Sequence, residues 1–146
     1  AYEITYGDWS SDVCSSDLRW LEDNFHSALG VEFPIWHGAG FSGTADCLGW
    51  TYDSTSIQLI DWKTSAKYRD PDSEIMRGGY FIQLAAYRAG IRWTYGIEVD
   101  NALLVIARQM GQPDVYVLDQ ALLDQCEVEF FDRLRRYQEV HSDVVA

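Results

Sequence analysis

Basic residues are scarce in this chain. It has 11 lysines and arginines against 23 aspartates and glutamates, a formal net charge of −12. This charge opposes a nucleic-acid partner, because contacts between basic side chains and phosphates usually supply most of the affinity. The basic residues are concentrated, however: the segment 61–92 holds six of them against four acids, and the rest of the chain holds five against nineteen. One stretch of the chain could therefore bind a phosphate backbone.

Cysteines and long apolar runs are also scarce. Cys14, Cys47 and Cys126 have no spacing typical of metal ligands, and such cysteine usage indicates a reducing compartment. No apolar run approaches the roughly 20 residues of a membrane span, and no segment resembles a signal peptide. We therefore expect a cytoplasmic protein with no membrane partner and no obligate protein partner.

The remaining composition is typical of one globular domain. The chain has 146 residues, of which 47% are hydrophobic and 14% aromatic, enough to bury a core. Apolar periodicity and turn residues predict helices at 19–28, after Gly79 and at 120–140, and strands at 31–36, 41–52, 56–63, 102–108 and 114–118. We predict an α+β fold with a mixed central sheet of about four to five strands flanked by helices.

The end of the 56–63 strand carries Asp61, Trp62 and Lys63. Because strand side chains alternate between faces, Asp61 and Lys63 are expected on one face and Trp62 on the other. A carboxylate beside an ammonium can hold a divalent cation and a phosphate oxygen in one place. Asp-x-Lys also occurs by chance at solvated strand ends, so this pattern alone leaves both interpretations open.

The 41–52 strand supplies a second carboxylate, Asp46. Turn residues at 51–55 predict an antiparallel hairpin, which would bring Asp46 and Asp61 to the same end. Two ionised carboxylates a few ångström apart repel each other and favour a bound cation. Oxygen ligands without Cys or His point to Mg²⁺ or Mn²⁺. Strict alternation would also place Leu48 on the face of Asp46, opposite Ala45 and Cys47.

The predicted helix after Gly79 carries Gln83 and Tyr87 one turn apart on a mostly apolar face. A buried amide needs a partner, because leaving it unpaired costs about 1–3 kcal/mol. The two side chains could form a structural hydrogen-bonded pair, or they could position groups of an active site.

Three motifs occur in order: Gly-x-x-Asp at 43–46, Asp-x-Lys at 61–63 and Gln-x-x-x-Tyr at 83–87. Together they resemble the RecB-like branch of the PD-(D/E)XK nucleases. The sequence Ile-Asp-Trp-Lys-Thr-Ser at 60–65 is most similar to that of the mitochondrial genome maintenance exonuclease and its phage and bacterial relatives. The resemblance covers 31–140 and implies a restriction-endonuclease-like core.

The resemblance also implies roles for individual residues. Asp46 and Asp61 would ligate Mg²⁺ or Mn²⁺ together with the main-chain carbonyl of Trp62, and Lys63 would be catalytic. Its ammonium could orient a water or stabilise the transition state. Accessory or DNA-positioning roles fall to Glu32, Lys67, Gln83, Tyr87 and Arg88.

The implied activity is a metal-dependent DNA exonuclease that acts on single-stranded or frayed ends in replication, recombination or repair. The implied setting is the cytoplasm of a bacterial or phage-infected cell. Some nucleases of this branch carry a four-cysteine iron–sulfur cluster, which three cysteines cannot build.

Residues 7–18 repeat Ser-Ser-Asp and have neither helical nor strand periodicity. They could be a serine-rich linker, but they match the translation of a common short-read sequencing adapter. We therefore expect residues 1–18 to be non-native, to pack poorly and to supply no ligand, with a truncated nuclease domain at 19–146. Such nucleases usually have an upstream helix whose histidine completes the metal site, and neither His26 nor His37 lies in a matching context. The chain as written is then expected to be weakly active or inactive.

Two other functions remain open. One is a nuclease-fold module that binds nucleic acid or assembles without catalysis. The other is an unrelated acidic α+β protein in which Asp46 and Asp61 bind Ca²⁺ structurally. The complete set of Asp46, Asp61 and Lys63 favours the enzyme over the inactive module, because a decayed site usually loses one of its residues.

Overall fold

In the computed structural model of the protein, residues 15–142 are described, with side chains from Arg19 onward. A short π-helical turn, Met76–Tyr80, precedes the second of three helices. The elements in chain order are α1 (Ser15–Asn24), β1 (Phe25–His37), β2 (Phe41–Thr51), β3 (Gln58–Thr64), α2 (Phe81–Tyr95), β4 (Asn101–Ala107), β5 (Asp114–Leu118) and α3 (Gln120–His141).

The five strands form one open sheet in the order β1-β2-β3-β4-β5. The first three strands are antiparallel, β3 and β4 are parallel, and β5 returns antiparallel to β4. The parallel pair requires a crossover, which α2 provides. The predicted α+β fold with a mixed sheet is confirmed, and β3, which ends in Asp61 and Lys63, is its central strand.

The two faces of the sheet are covered unequally. The larger core packs α2 and α3 against one face and includes Leu59, Leu84, Leu104 and Leu123, all fully buried. A smaller cluster on the other face is built around Ile60 and Val105, with the half-buried Trp20, Phe25 and Trp62 against it. Within residues 15–142, no helix is long and apolar enough to cross a membrane.

The helix predicted at 19–28 extends too far at its carboxyl end. In the structure α1 ends at Asn24, and Phe25 begins a 13-residue edge strand that pairs with β2 through two register shifts. Pairing with β2 and the packing of Phe25 on the smaller cluster outweigh the weak helical periodicity of 25–28. Pro34 lies in this outermost strand, where its missing N–H is tolerated.

The side-chain alternation predicted for β2 fails around Asp46. Ala45 and Leu48 contribute to the larger core, whereas Cys47 belongs to the smaller cluster. Backbone pairing with β3 extends only from Cys47 to Gly49, and on the β1 side Glu32, between the partners of Ala45 and Cys47, has a positive φ of 47°. The backbone is therefore irregular at the point where the alternation fails.

The apolar residues of α3 are only partly buried. Leu123 and Cys126 are buried, whereas Val128 and Tyr137 are exposed. Further along the helix, Phe131 packs against His37 and Phe41 of the β1–β2 hairpin. Asp119 caps the amino terminus of α3, since it accepts a hydrogen bond from the Leu122 N–H at 2.9 Å.

Candidate active site

The β2–β3 hairpin brings the two predicted carboxylates together. The backbone pairing of β2 with β3 ends at Cys47, and beyond it the Asp46 side chain links the two strands. Its Oδ2 accepts a hydrogen bond from the Trp62 N–H at 3.0 Å. This bond fixes one Asp46 oxygen next to the strand that carries Asp61. The expectation that the hairpin places Asp46 and Asp61 at the same end is confirmed.

Asp61 and Lys63 form a close ion pair on one face of β3. Lys63 Nζ lies 2.7 Å from Asp61 Oδ2, and the Lys63 side chain keeps 25% of its surface exposed. Trp62 points to the opposite face, into the smaller cluster, as predicted. Asp61 itself is only 1% exposed, and its Oδ1 has no hydrogen-bond partner among the described residues.

Burial dominates the electrostatics of this pair. It raises the pKa of Asp61 to about 6, and the nearby Asp46 carboxylate raises it further against the opposing effect of Lys63. Burial alone would lower the pKa of Lys63, but hydrogen bonding and charge from Asp61, helped by Asp46, outweigh it and raise that pKa. Two carboxylates thus share one ammonium, which leaves negative charge uncompensated inside the protein.

These residues fit a hard divalent cation. A buried carboxylate oxygen without a partner is costly, and a cation that binds oxygen ligands would remove this cost. Among the residues with described side chains, no group of three or more His, Cys, Asp or Glu could hold a metal. A cation held by Asp46 and Asp61 would therefore need main-chain, water or substrate oxygens as well. The Trp62 carbonyl remains a predicted ligand.

Gln83 and Tyr87 lie beside the ion pair on α2. The Gln83 Nε2 amide donates to the Tyr87 hydroxyl at 2.9 Å, so the structural pair considered from the sequence does form. The Tyr87 ring packs on Gly43, where an added Cβ would lie 3.1 Å from Cε1. Burial, followed by the charge of Asp61, raises the pKa of Tyr87. The absence of a side chain at Gly43 therefore allows Tyr87 to approach β2 closely.

The loop after β3 carries two basic residues with no acidic partner. Lys67 is exposed and Arg69 is half-buried, and neither forms an ion pair within the described residues. The Arg69 Nε is buried without a hydrogen-bond partner. Lys67 and Arg69 lie a few residues after Lys63, in the loop that leaves the central strand.

Arg88 is placed differently from the predicted accessory role. It is 4% exposed, and its guanidinium donates to Asp124 and Glu127 of α3. Its geometry is that of a buried link between α2 and α3, so we do not include Arg88 among the groups that would contact DNA.

Glu32 is exposed on β1, between residues that pair with Ala45 and Cys47, and it has a positive φ of 47°. This register places Glu32 opposite Asp46 at the edge of the sheet. Its predicted accessory role stays a prediction.

The two histidines considered from the sequence have other surroundings. His26 contacts Ser27 and Tyr52, and His37 stacks among Phe41 and Trp93. Burial, followed by the charge of Arg92, lowers the pKa of His37. Residues 15–18 belong to α1, and the expectations for residues 1–14 and for the side chains of 15–18 lie outside the described part of the chain.

Sequence reasoning missed the contact between Tyr80 and Lys63. Lys63 Nζ lies over the Tyr80 ring, 5.7 Å from its centroid. Tyr80 ends the π-helical turn, whose only trace in the sequence is the pair Gly78-Gly79 before a helical pattern.

No protein-family model and no curated protein matches this chain. The solved structures that are similar to it include the following two. One is a "Putative exonuclease" from Eubacterium rectale, at 18% identity over 75% of this chain and 45% of that one, with a TM-score of 0.47. The other is SSO0001, at 17% identity over 70% of this chain and 48% of that one, with a TM-score of 0.39. The chain thus spans less than half the length of either protein.

Proposed function

We propose that this domain is a Mg²⁺- or Mn²⁺-dependent DNA exonuclease that hydrolyses phosphodiester bonds at single-stranded or frayed ends. The observation that carries the proposal is the buried Asp61 carboxylate, which has one oxygen without a partner, beside Asp46 and Lys63. Buried polar groups are nearly always satisfied, and a catalytic role or a bound ion is among the explanations for an exception. The preference for DNA ends rests on the motif resemblance.

The chemistry follows from the positions of these side chains. Asp46 and Asp61 would hold the divalent cation, which supplies an activated water and neutralises charge on the phosphodiester. The Lys63 ammonium, half-buried in a site of low dielectric, would stabilise the negative charge that develops on the phosphate oxygens during attack. Its raised pKa keeps it protonated at neutral pH, as this role requires.

Two basic residues beside the site have no acidic partner in the described structure and are available to phosphates despite the net charge. Outside the site, most described basic residues are paired with acids of their own neighbourhood, such as Arg77 with Asp72 and Arg108 with Asp114. Lys67 and Arg69, in contrast, are unpaired in the described structure and immediately follow the site. We propose that these two residues contact the DNA backbone.

The test is a cleavage assay under single-turnover conditions, with the protein in excess over end-labelled single-stranded DNA. Because weak activity is expected, excess protein and long incubation are needed. Mg²⁺ or Mn²⁺ should support stepwise shortening from an end, and a chelator should abolish it. A blunt duplex of the same sequence should be cut more slowly. DNA binding with neither metal-dependent cleavage nor Mn²⁺ binding would contradict the proposal and favour the inactive binding module.

Metal binding is measured separately by calorimetry with Mn²⁺. Asp46→Asn and Asp61→Asn should each weaken binding, because each removes a charge from the oxygen-ligand site. Asp53→Asn is the matched control, since Asp53 is an exposed carboxylate in the turn between β2 and β3. Unchanged affinity in both site variants would place any bound ion elsewhere.

A further inference from the structure

The Lys63 ammonium has two kinds of neighbour. One is the Asp61 carboxylate at 2.7 Å, and the other is the face of the Tyr80 ring, 5.7 Å from Nζ. Cation–π attraction operates up to about 6 Å from the ring centroid and is stronger at partly desolvated sites. Tyr80 is half-buried and the lysine side chain mostly covered, so both conditions hold here.

A local irregularity of the backbone presents the Tyr80 ring. In the turn Met76–Tyr80, the Phe81 N–H bonds to the Met76 carbonyl five residues earlier, the pattern of a π-helix. Such turns are rare and are frequently found at functional sites. Met76 is fully buried at the start of the turn, and Arg133 Nη1 of α3 donates to the Gly78 carbonyl at 2.7 Å. The turn is therefore anchored at its start and in its middle.

The turn also aligns Tyr80 with the other site residues of α2. Tyr80, Gln83 and Tyr87 are spaced i, i+3 and i+7, so they share one helical face. That face meets β2 and β3, because Tyr87 packs on Gly43 and Tyr80 lies at Lys63.

We propose that Tyr80 is a positioning residue whose ring face holds the Lys63 ammonium beside Asp61, and that the π-helical turn presents this ring. The inference rests on the proposed function of the site. A long, flexible lysine side chain loses rotamer entropy when it is held by one contact. A divalent cation on Asp61 would compete with Lys63 for the same carboxylate and repel the ammonium. An aromatic face attracts a cation while carrying no net charge, so this contact persists when the carboxylate is shared.

The proposal assigns the role to the ring and none to the phenolic hydroxyl. Tyr80→Phe keeps the ring, whereas Tyr80→Leu keeps apolar bulk but removes the aromatic face. Tyr137→Leu is a matched control, because Tyr137 is 62% exposed on α3. Thermal melting of all three variants checks that they fold.

The first measurement does not require activity. Lys63 and Lys67 are the two lysines of the chain, so ¹³C-lysine labelling yields two ε-methylene signals in an NMR spectrum. Lys67 is exposed and serves as an internal reference. The Lys63 signal should be shifted upfield by the ring in wild type, in Tyr80→Phe and in Tyr137→Leu, and should move close to the Lys67 position in Tyr80→Leu. The ring shift should persist when Mg²⁺ is added.

The second measurement is cleavage under the conditions of the nuclease assay. Tyr80→Leu should lower the maximal rate about 5- to 20-fold with little change in the half-saturating DNA concentration, a size typical of a cation–π contact at a partly buried site. Tyr80→Phe should stay within about twofold of wild type. A Lys63 signal in Tyr80→Leu identical to wild type would overturn the proposal, as would a Phe variant as impaired as the Leu variant. If wild type neither cleaves DNA nor binds Mn²⁺, the nuclease proposal fails, and the NMR signals alone decide whether Tyr80 holds the lysine.

Discussion

Two buried charge pairs lie on this fold, and their hydrogen bonding differs. Arg88 has a side chain that is 5% exposed and donates to both Glu127 and Asp124, while Arg92 binds the other Glu127 oxygen. Asp61 is as deeply buried, yet it meets a single ammonium and one of its oxygens has no partner in the described structure.

The difference separates a structural pair from the pair for which we propose a function. Removing two charges from water costs several kcal/mol per ion, and only good geometry with further hydrogen bonds offsets this cost. The Arg88 cluster has both, so it can join α2 to α3 without any ligand. The Asp61 pair lacks the further bonds, and the free oxygen remains available for one. Burial alone does not distinguish the two sites, whereas hydrogen-bond satisfaction does.

The largest effect is expected from removing the ammonium at the unsatisfied pair. Lys63→Ala should lower metal-dependent cleavage by about 10³-fold or more, because a preorganised charge in a site of low dielectric is lost. Thermal melting should change little, because the buried Asp61 carboxyl, whose pKa is already raised to about 6, can take up a proton when its ammonium partner is lost. Lys67→Ala is the control at the other lysine and should lose only DNA affinity. A Lys63→Ala protein that cleaves at the wild-type rate would remove Lys63 from the site.

At the Arg88 cluster, whose hydrogen bonds are satisfied, a substitution should lower the stability of the protein. Arg88→Met leaves a packed side chain but removes the cation between two carboxylates, and we expect a loss of about 3 kcal/mol in the free energy of unfolding. This is the low end for a broken buried pair, because Arg92 still pairs with Glu127 and Asp124 is largely exposed. Denaturant titration measures the loss. Activity per folded molecule should remain, whereas a stable but inactive Arg88→Met protein would assign Arg88 to the active site after all.

The contrast between the pairs also marks what the sequence could predict. The Asp61–Lys63 pair is local: two residues on one strand, with Asp46 supplied by the adjacent strand of a hairpin. Strand periodicity and turn residues are sufficient for this much. The strands β4 and β5 and the capped start of α3 were predictable for the same reason.

The features that escaped prediction depend on distant partners. The carboxylates that bind Arg88 lie 36 and 39 residues away on α3, so the charge of the 61–92 segment looked more available than it is. The π-helical turn is stabilised by Arg133 of another helix, and Phe25 becomes a strand residue through pairing with Thr51. Local periodicity contains no information on such contacts.

Removing the negative charge of Asp61 is expected to stabilise the protein, by less than Arg88→Met destabilises it. The pKa of Asp61 is raised from 3.8 to about 6, so the folded protein keeps a proton that the unfolded chain releases near pH 4. Between these values the folded state binds more protons, and stability should fall as the pH rises from about 4 to about 6. A shift of this size corresponds to about 3 kcal/mol at most.

Asp61→Asn should therefore stabilise the protein by about 2 kcal/mol at pH 7.5, less than the maximum because a buried amide also needs partners. The gain should become small near pH 4, where the wild-type carboxyl is protonated in the folded state and only about half ionised in the unfolded chain. Urea titration at the two pH values provides the measurement. Asp124→Asn, at the satisfied pair, should destabilise instead. Equal loss of stability in both variants would mean that the two pairs do not differ as described.

The Gln83–Tyr87 pair is intermediate in hydrogen-bond satisfaction between the Arg88 cluster and the Asp61 pair. Its substitution should have the smallest effect on stability and DNA binding. One amide N–H is satisfied by the tyrosine hydroxyl, and the half-buried position leaves the rest of the amide accessible. Tyr87→Phe removes this bond and keeps the ring on Gly43, so we expect a loss of about 1 kcal/mol or less in the free energy of unfolding. If the pair also positions the DNA backbone, affinity for single-stranded DNA should fall about threefold, a difference below about 1 kcal/mol. Gln83→Leu should then weaken DNA binding similarly, since it removes the same bond from the other side. Reduced stability with unchanged DNA affinity in both variants would leave the pair as a structural hydrogen bond of α2.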